Sequence, residues 1–408
     1  MNDTRKPLLP VHEALALLLE SAAALDQSDS IATHQALGRV LAAPLFSSVD
    51  VPPLDNSAMD GYAVRMADLA TAKPLRVTQR IPAGTVGQPL QPGTAARIFT
   101  GAPIPAGCDA VVMQEHCRVE GDTVNIEKPP RPGENIRRAG EDIRSGAQIL
   151  PAGIKLGPAE MGLAASVGLD SLPVYRKLRV ATFFTGDEIV MPGNPLQPGQ
   201  IYNSNRFLLA GFLAALGCEV IDLGNVPDDF ATTVTTLKQA AAQADLVLTS
   251  GGVSVGEEDH VKAAVESIGQ IDLWKIAVKP GKPLAFGSAA GTPFIGLPGN
   301  PVSAFVTFCM FVRPYILRRQ GVTDIAPPSF MVRADSAWPK PDQKRREFLR
   351  ARMTTGEDGG PSVQLHPHQG SGVLTSCAWS DGLIEVVDAT PFQRGDQVKF
   401  IPFAGLFA

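Results

Sequence analysis

Residues 245–260 read DLVLTSGGVSVGEEDH, and this stretch decides the fold. The apolar run DLVLTS has the length and composition of a buried strand. Glycines follow at once, and after the acidic residues comes the apolar periodicity of a helix, VKAAVESI. A buried strand that leads through a glycine-rich loop into a helix is typical of an open α/β sheet with parallel strands.

The same alternation of strands and helices extends to both sides of this stretch. Strand-like runs are LRVATFF, CEVIDLG, DLWKIAV, PLAFG and PFIGL. Helical runs are RFLLAGFLAAL, FATTVTTLKQAAAQA and PVSAFVTFCMFVRPYIL. Asn203 or Ser204 is predicted to cap the first of these helices. Residues 179–327 are therefore predicted to form a central α/β domain with a mostly parallel sheet.

The flanking regions have different patterns, so the predicted fold class is multidomain α/β plus β. Helical spacing from Val11 to Leu25 and from Ala32 to Leu41, with a helix from Pro158 to Gly168, predicts an elongated helical and linker domain. That domain is discontinuous and comprises residues 1–46 and 147–178. Short apolar runs between Pro and Gly predict a β-rich insertion domain at residues 47–146 and a small C-terminal β-barrel or sandwich at residues 328–408.

Composition narrows the function classes. The chain has 408 residues and a formal net charge of −5, without a basic footprint, which excludes nucleic acid as a main partner. No apolar run reaches the roughly 20 residues that span a bilayer, so no membrane partner is expected. The five cysteines are odd in number and form no CxxC pair, which argues against a disulfide framework and predicts a reducing, cytoplasmic compartment.

The glycine-rich loop is a candidate phosphate site. Gly251, Gly252 and Gly256 let the backbone approach a ligand, and free N–H groups at the next helix start suit phosphate or pyrophosphate. The loop has neither the Gly-Lys-Ser/Thr of a Walker A motif nor a GxGxxG pattern. A plain turn remains an alternative interpretation.

Acidic residues follow the ends of several predicted parallel strands. Asp259 lies in the glycine-rich loop, beside Glu257 and Glu258. Glu188 follows the first strand of the domain, and Asp228 follows the second. Because the carboxyl ends of parallel strands share one rim, these oxygens predict a Mg²⁺ site beside the phosphate cradle. The alternative is that the acids only complement the positive ends of helices.

A third loop, PFIGLPGNPVSAF, contains Pro298 and Pro301. It is either a rigid turn or the wall of a pocket for a ring-shaped ligand. Upstream, in WKIAVKPGKP, strand alternation predicts that Lys275 and Lys279 share one face. This pair is either an oxyanion site or the solvated edge of a strand.

Polar segments outside the α/β domain have simpler interpretations. Turn chemistry explains the Asp-Asn and Asp-Gly pairs of PPLDNSAMDGYAVR, which contains Asp60. ENIRRAGEDIRSG, with Asp142, is compatible with a surface cluster of ion pairs. His366 and His368 have a spacing that suits a metal, but two ligands do not make a site.

Taken together, the motifs resemble the molybdopterin molybdenumtransferases and the C-terminal portion of gephyrin. The matching segments, which cover nearly the whole chain, are PPLDNSAMDGYAVR, FTGAPIP, ENIRRAGEDI, TGDE, SGGVSVGEED, WKIAVKPGKP, GLPGNP and EFLRAR with QGSG. GGVSVG and LPGNP also occur in molybdopterin adenylyltransferases and in a competence-damage-inducible family. The DNSAMDGYA segment and the final β domain separate this chain from those relatives.

The resemblance implies a homodimer of elongated four-domain protomers. Its active cleft would lie between the α/β domain of one protomer and the β insertion of the other. The implied reaction converts adenylylated molybdopterin and molybdate into molybdenum cofactor and AMP, assisted by Mg²⁺. Molybdopterin adenylyltransferase and molybdoenzymes that accept the product are further candidate partners. The dithiolene sulfurs come with the pterin, so no protein cysteine is needed as a nucleophile.

Residue roles are carried over from the matching segments. The nucleotide and cation side is implied for Glu188, Asp228, Ser254 and Asp259. The molybdate side is implied for Lys275, Lys279, Arg350 and Ser371. The pterin pocket is implied for Pro298 and Pro301, and functional residues of the N-terminal half for Asp60, Thr100 and Asp142.

One departure and two alternatives stay open. Many family members have an acid where this chain has Asn203, which is expected to keep a structural role as a helix cap. A molybdopterin adenylyltransferase would share the α/β domain but not the extra β domains. A non-catalytic scaffold, as the likeness to gephyrin permits, would not need the acidic and basic clusters.

Overall fold

A six-stranded sheet forms the centre of the protein, in a computed structural model that describes residues 8–71, 73–252 and 260–407. In spatial order its strands are Glu219–Val226, Arg179–Thr185, Leu246–Ser250, Thr292–Leu297, Pro283–Ala289 and Gly269–Lys275. The first four run parallel, Pro283–Ala289 is antiparallel to both of its neighbours, and Gly269–Lys275 therefore runs in the same direction as the first four. The prediction of a mostly parallel α/β sheet is therefore confirmed.

Helices cover both faces of this sheet. On one face lie Val11–Glu20, Ser204–Ala215 and Pro301–Thr307, the last continuing through a π-helical turn, Phe308–Val312, into Arg313–Arg319. On the other face lie Phe230–Gln243 and His260–Ile268. Phe183 and Phe184 enter opposite cores because successive strand residues alternate in direction. No helix in the described ranges is long and apolar enough to cross a membrane.

The N-terminal residues differ from the prediction. The first helix ends at Glu20, and its Ala14 and Leu18 pack into the α/β core. The predicted helical stretch from Ala32 to Leu41 is wrong: Ser28–Ala32 is a strand, and one 3₁₀ turn, Thr33–Gln35, follows it. That strand pairs with Ser171–Tyr175, and Val40 and Leu41 form bridges to Lys155 and Val174, so these long-range pairings outweigh the local helical pattern.

Residues 147–178 return to this N-terminal segment. Gln148–Leu150 pairs with Leu45–Phe46, and the helix Pro158–Ser166 begins at the predicted proline. Apolar side chains from both segments, including Leu41 and Leu172, form one buried cluster. The β-rich region is thus flanked by two segments that pack against each other.

Between these segments, a second six-stranded sheet carries two small apolar clusters. Its strands, in spatial order, are Ala110–Met113, Gly61–Val64, Thr94–Ile98, Leu75–Ile81, Thr123–Ile126 and Cys117–Glu120. A short helix, Met66–Leu69, a 3₁₀ turn, Gln114–His116, and a two-residue ladder of Asn56–Ser57 with Ile136–Arg137 complete it.

Five C-terminal strands close into a barrel, as predicted. They are Phe330–Ala334, Arg346–Thr355, Pro361–Leu365, Gly382–Val386 and Gln397–Pro402. Closure occurs because Arg346–Thr355 is long enough to pair with both Pro361–Leu365 and Gly382–Val386. Two short helices, Leu374–Trp379 and Phe403–Leu406, accompany the barrel. The strand Val278–Lys279 adds to it from the α/β side, parallel to Arg346 and Glu347.

Candidate active site

A first cavity, of about 730 Å³, lies where the parallel strands of the central sheet end. Its walls come from the loops after all four of these strands and include Glu188, Asp228, Gly251 and Asn300. The start of the helix Ser204–Ala215 contributes further polar groups, among them Asn205. This is the rim at which open α/β sheets bind ligands.

The first two glycines of the predicted phosphate loop belong to this wall. Gly251 and Gly252 have φ angles of +94° and +63°, a region that favours glycine. A Cβ at Gly252 would lie 2.7 Å from Oγ1 of Thr185, so a larger residue does not fit. Ser254, Gly256 and Asp259, the other predicted residues of the loop, lie outside the described residues.

Two of the three predicted metal ligands line the first cavity. The exposed Glu188 follows Gly186, whose missing side chain lets the Glu188 carboxylate fold back over it. Asp228 is half-buried on the same cavity wall. The neighbouring Asp229 instead caps the helix Phe230–Gln243, accepting a hydrogen bond of 2.8 Å from the N–H of Thr232. The hydrogen bonds from Thr232 lower the pKa of Asp229.

The carboxylates of Glu188 and Asp228 suit a hard divalent cation that takes its remaining ligands from water and substrate. Among the described residues, no group of three His, Cys, Asp or Glu side chains is arranged to enclose a metal ion. Mg²⁺ does not need such a cage, because it keeps several waters and binds one or two carboxylates together with substrate phosphates. Glu188 and Asp228 beside a glycine-rich loop supply that combination.

Asparagines fix the inner wall of the first cavity. Asn203 caps the helix as predicted, accepting a hydrogen bond of 3.0 Å from the N–H of Arg206. The Nδ2 of Asn205 donates to Oγ of Ser250 and to the carbonyl oxygen of Gly299, both at 2.8 Å. Asn205 therefore ties one strand end to the predicted proline-containing loop. Sequence reasoning missed it because its partners come from distant strands.

A second cavity, of about 580 Å³, adjoins the first and shares Glu188, Gly251 and Gly252 with it. Pro298 and Ser371, both predicted, line the second cavity, whereas Pro301 lines the first. Lys279, Lys282 and Arg345 bring positive charge to the second cavity. Lys282 stands in the quoted WKIAVKPGKP motif, whereas Arg345 lies in the basic stretch KRREFLRAR, directly before the barrel strand Arg346–Thr355, and was not singled out as a site residue.

The predicted lysine pair does not form one face. The first strand ends at Lys275, which is exposed and lines neither cavity. Lys279 belongs to the separate strand that pairs with the barrel, where its Nζ lies 2.8 Å from Oε1 of Glu347. The expectation from strand alternation was wrong because the run DLWKIAV is interrupted and its two parts join different sheets.

Arg350 lies behind the second cavity and does not line it. Its side chain is fully buried, and the guanidinium donates to Oγ of Ser376 and to the carbonyl oxygens of Phe348 and Gly370. Burial lowers the pKa of Arg350 to about 10. In this arrangement Arg350 supports the QGSG turn that carries Ser371.

Models of three families match consecutive parts of the chain. The MoeA N-terminal region (domain I and II) matches residues 9–168. The probable molybdopterin binding domain matches residues 181–318, which hold most of both cavities. The MoeA C-terminal region (domain IV) matches residues 332–403.

Full-length relatives agree with these matches. The chain is 43% identical to a molybdopterin molybdenumtransferase of Haemophilus influenzae, over 97% of this chain and 99% of that protein. It belongs to the molybdopterin molybdenumtransferase family. A second relative, molybdopterin molybdenumtransferase 2 of Mycobacterium tuberculosis, is 40% identical over 90% of this chain and 92% of its own length.

Solved structures support the same family membership. A molybdopterin biosynthesis MoeA protein of Pyrococcus horikoshii superposes with a TM-score of 0.80 at 32% identity, over 97% of this chain and 99% of that chain. A second structure, of the protein from strain OT3 of that organism, gives a TM-score of 0.83 at 29% identity, over 97% and 100%. The family resemblance of the sequence motifs is therefore confirmed in three dimensions.

In this member of the molybdopterin molybdenumtransferase family, two predicted residues of the β-rich region meet directly. Oδ1 of Asp60 accepts hydrogen bonds of 2.8 Å from both the N–H and the hydroxyl of Thr100. These bonds lower the pKa of Asp60. Asp142, the third predicted residue, is exposed and lies apart on the strand-like segment next to Val51. None of the three lines either cavity.

The remaining candidates of this family member have structural roles. His366 accepts a hydrogen bond at Nδ1 from the N–H of His368, which closes a local turn. The five cysteines are all free, and burial raises the pKa of each thiol. Thiols of raised pKa are poor nucleophiles at neutral pH, so none of the five is prepared for nucleophilic attack.

Proposed function

We propose that this protein inserts molybdenum from molybdate into adenylylated molybdopterin and releases AMP, forming molybdenum cofactor. Membership of the molybdopterin molybdenumtransferase family makes it an enzyme of molybdenum cofactor synthesis. The observation that carries the finer proposal is the junction of two cavities of opposite character. Carboxylates line the first, cations line the second, and Glu188, Gly251 and Gly252 belong to both.

The first cavity takes the adenylylated end of the substrate in this proposal. The backbone N–H of Gly252 approaches the phosphates, whereas that of Gly251 donates to the carbonyl oxygen of Leu297 at 3.1 Å. Ser254, Gly256 and Asp259 of the same loop are proposed for the same side, as the family resemblance implies. Glu188 and Asp228, with Asp259, would hold Mg²⁺. When bound, Mg²⁺ supplies neutralisation of the charge on the phosphoanhydride as its bond to phosphorus breaks.

The second cavity takes molybdate. A dianion needs cationic and hydrogen-bond donors, and Lys279, Lys282 and Arg345 stand around the cavity together with the hydroxyl of Ser371. Pro298 and Pro301 form the stiff wall against which the pterin lies. Because the two cavities adjoin, molybdate is held next to the end of the substrate that reacts, and positioning supplies much of the catalysis.

We also propose that the site is completed by a second copy of the chain. Asp60, Thr100 and Asp142 line neither cavity of their own protomer, and a homodimer would bring the β-rich region of the partner over the cleft. Mixed dimers test this. A protein with Asp60→Ala and a protein with Glu188→Ala should be inactive alone and regain part of the activity when mixed, because one of the two shared sites is then intact. Absence of recovery in a mixture that does exchange subunits would count against shared sites.

The division into domains is proposed as predicted, with residues 1–46 and 147–178, 47–146, 179–327 and 328–408. Separate apolar clusters in the β-rich region and in the barrel support it. The first helix shares the α/β core, so residues 11–25 connect the two domains. Free cysteines throughout support the cytoplasm as the compartment.

Release of AMP is the direct test. Purified protein is given adenylylated molybdopterin and Mg²⁺, with and without molybdate, and AMP and pterin-bound molybdenum are measured. Molybdate-dependent AMP release with molybdenum on the pterin is the expected result. A folded protein that binds the pterin and releases no AMP would contradict the proposal and favour a scaffold. Formation of adenylylated molybdopterin from ATP would favour the adenylyltransferase.

A further inference from the structure

The ammonium of Lys279 in the second cavity rests on a buried carboxylate of the barrel. Glu347 is fully buried, and its Oε1 lies 2.8 Å from Nζ of Lys279. Among the described residues no donor meets hydrogen-bond geometry at that oxygen, so its contact with Lys279 is an ion pair. Oε2 accepts hydrogen bonds from Nε1 of Trp338 at 2.8 Å and from the N–H of Asp342 at 2.9 Å. Each oxygen of Glu347 thus has its own fixed partners.

Around this contact, the cationic side chains face the second cavity and two acidic side chains lie behind them. Lys279 and Arg345 line the second cavity, and their side chains are 39% and 31% exposed. Asp342 pairs with Arg345 at 2.5 Å and lies 3.8 Å from Lys279, and neither Asp342 nor Glu347 lines the cavity. An anion in the cavity therefore meets Lys279 and Arg345 and not the two acids behind them; the carboxylate that does line this cavity, Glu188, is shared with the first cavity.

We propose that Glu347 is a positioning residue for oxyanion binding, which fixes Lys279 in the second cavity before molybdate arrives. This inference rests on the proposed function, because it takes the second cavity as the molybdate site. A free lysine side chain loses conformational freedom when it binds an anion, whereas one already held by a buried carboxylate loses little. Glu347 acts only through Lys279 and does not touch the substrate.

Glu347→Gln isolates this role. The oxygen of the new amide must take the place of Oε2, where two N–H donors point at it. Its NH₂ group then faces the ammonium of Lys279, donor against donor, and the lysine leaves its position. The buried side chain keeps its volume and its bonds to Trp338 and Asp342, so the barrel is expected to fold.

Glu385 offers a matched control in the same barrel. It is a buried carboxylate that pairs with Arg346 at 3.0 Å and Lys399 at 2.8 Å, and it lines neither cavity. Glu385→Gln therefore removes a comparable buried charge without reaching Lys279.

Isothermal titration of the full-length proteins with sodium molybdate alone, and with the pterin substrate present, is the experiment. Glu347→Gln is expected to weaken molybdate binding about tenfold, while Glu385→Gln leaves it within a factor of two. In a Lys279→Ala background, Glu347→Gln should add no further weakening, because the group through which it acts is gone. Unchanged binding in Glu347→Gln would overturn the proposal, as would an equal loss in the Lys279→Ala background.

Two further outcomes are decisive as well. If Glu347→Gln fails to fold, Glu347→Asp replaces it: this variant keeps the charge but withdraws the carboxylate by one methylene, and unchanged affinity there overturns the proposal. Molybdate binding by a wild-type protein that releases no AMP would refute the proposed reaction while leaving this inference in place. Absence of molybdate binding under both conditions would overturn the inference itself.

Discussion

The two cavities meet at the same residues but are built in different ways. The first belongs to the central sheet: its walls are loops that follow neighbouring parallel strands, and its polar groups stand at strand and helix ends. The second lies between the α/β domain and the barrel: Lys282 precedes a strand of the central sheet, Lys279 belongs to the short strand that pairs with the barrel, and Arg345 and Ser371 come from the C-terminal region. A substitution in the first cavity should therefore affect only that cavity. A substitution in the second cavity should also affect how the barrel packs against the α/β domain.

The largest expected effect comes from Glu188, which the cavities share. Glu188→Ala should lower the rate of AMP release at least about 100-fold, because a carboxylate that holds the cation is lost. Its side chain is exposed, so the melting temperature should stay within about 1 °C of wild type. Rates are measured over a series of Mg²⁺ concentrations. Normal turnover would remove Glu188 from the mechanism and separate the cavities functionally.

A substitution at Arg350, behind the second cavity, should lower the stability of the protein and also weaken its use of molybdate. Arg350→Ala leaves Ser376 and two carbonyl oxygens without their buried donor, which should cost about 3 kcal/mol of unfolding free energy. The loosened QGSG turn should also raise the molybdate concentration needed for half-maximal AMP release several-fold. Thermal unfolding and molybdate titration are run on the same sample. A large molybdate effect with unchanged stability would indicate direct contact with the anion instead.

Substitutions of Lys282 and Lys275, both in WKIAVKPGKP, test which lysines belong to the second cavity. Lys282→Ala should raise the molybdate requirement about fivefold to tenfold, because a cation in the cavity wall is lost. Lys275→Ala should change it by less than twofold, since this side chain is exposed and lines neither cavity. Equal effects of the two variants would restore Lys275 to the anion site and contradict the observed break in the strand.

The smallest effect is expected at Asn203, in the first cavity. Asn203→Ala removes a helix cap and should lower the unfolding free energy by about 1 kcal/mol. The Mg²⁺ dependence of AMP release should not change, because the cap bond to Arg206 and not a metal contact is lost. A shifted Mg²⁺ dependence would mean that Asn203 takes part in holding the cation after all.

The two cavities also differ in how far the sequence could predict them. The residues of the first cavity follow strands that can be predicted from apolar runs; they include Gly251, Gly252, Glu188 and Asp228. Parallel pairing alone brings the ends of these strands to the same edge of the sheet. The first cavity was accordingly predictable from the order of strands, loops and helices.

The second cavity depends on where the barrel docks, which local patterns do not encode. Lys275 and Lys279 looked like neighbours because their spacing suits one strand, yet the ladder passes from one sheet to another between them. Arg350 looked like a residue that contacts the ligand, but it lies on the strand face that points away from the barrel interior, where it is buried against Ser376 and Gly370. In the same way, bridges from Val40 and Leu41 to distant residues replaced the expected helix after Ala32.

The short strand Val278–Lys279 has a consequence for how this chain can be recombined with its relatives. It shares a parallel ladder with Arg346 and Glu347, and the N–H of Arg346 donates to the carbonyl oxygen of Ala277 at 2.8 Å. Main-chain hydrogen bonds thus connect the barrel to the α/β domain, far from the linker that joins the two in sequence. A chimera joined only near residue 328 would pair the strand Val278–Lys279 of this chain with the barrel of another protein. To keep this pairing intact, an exchanged barrel must be accompanied by its own equivalent of residues 276–283.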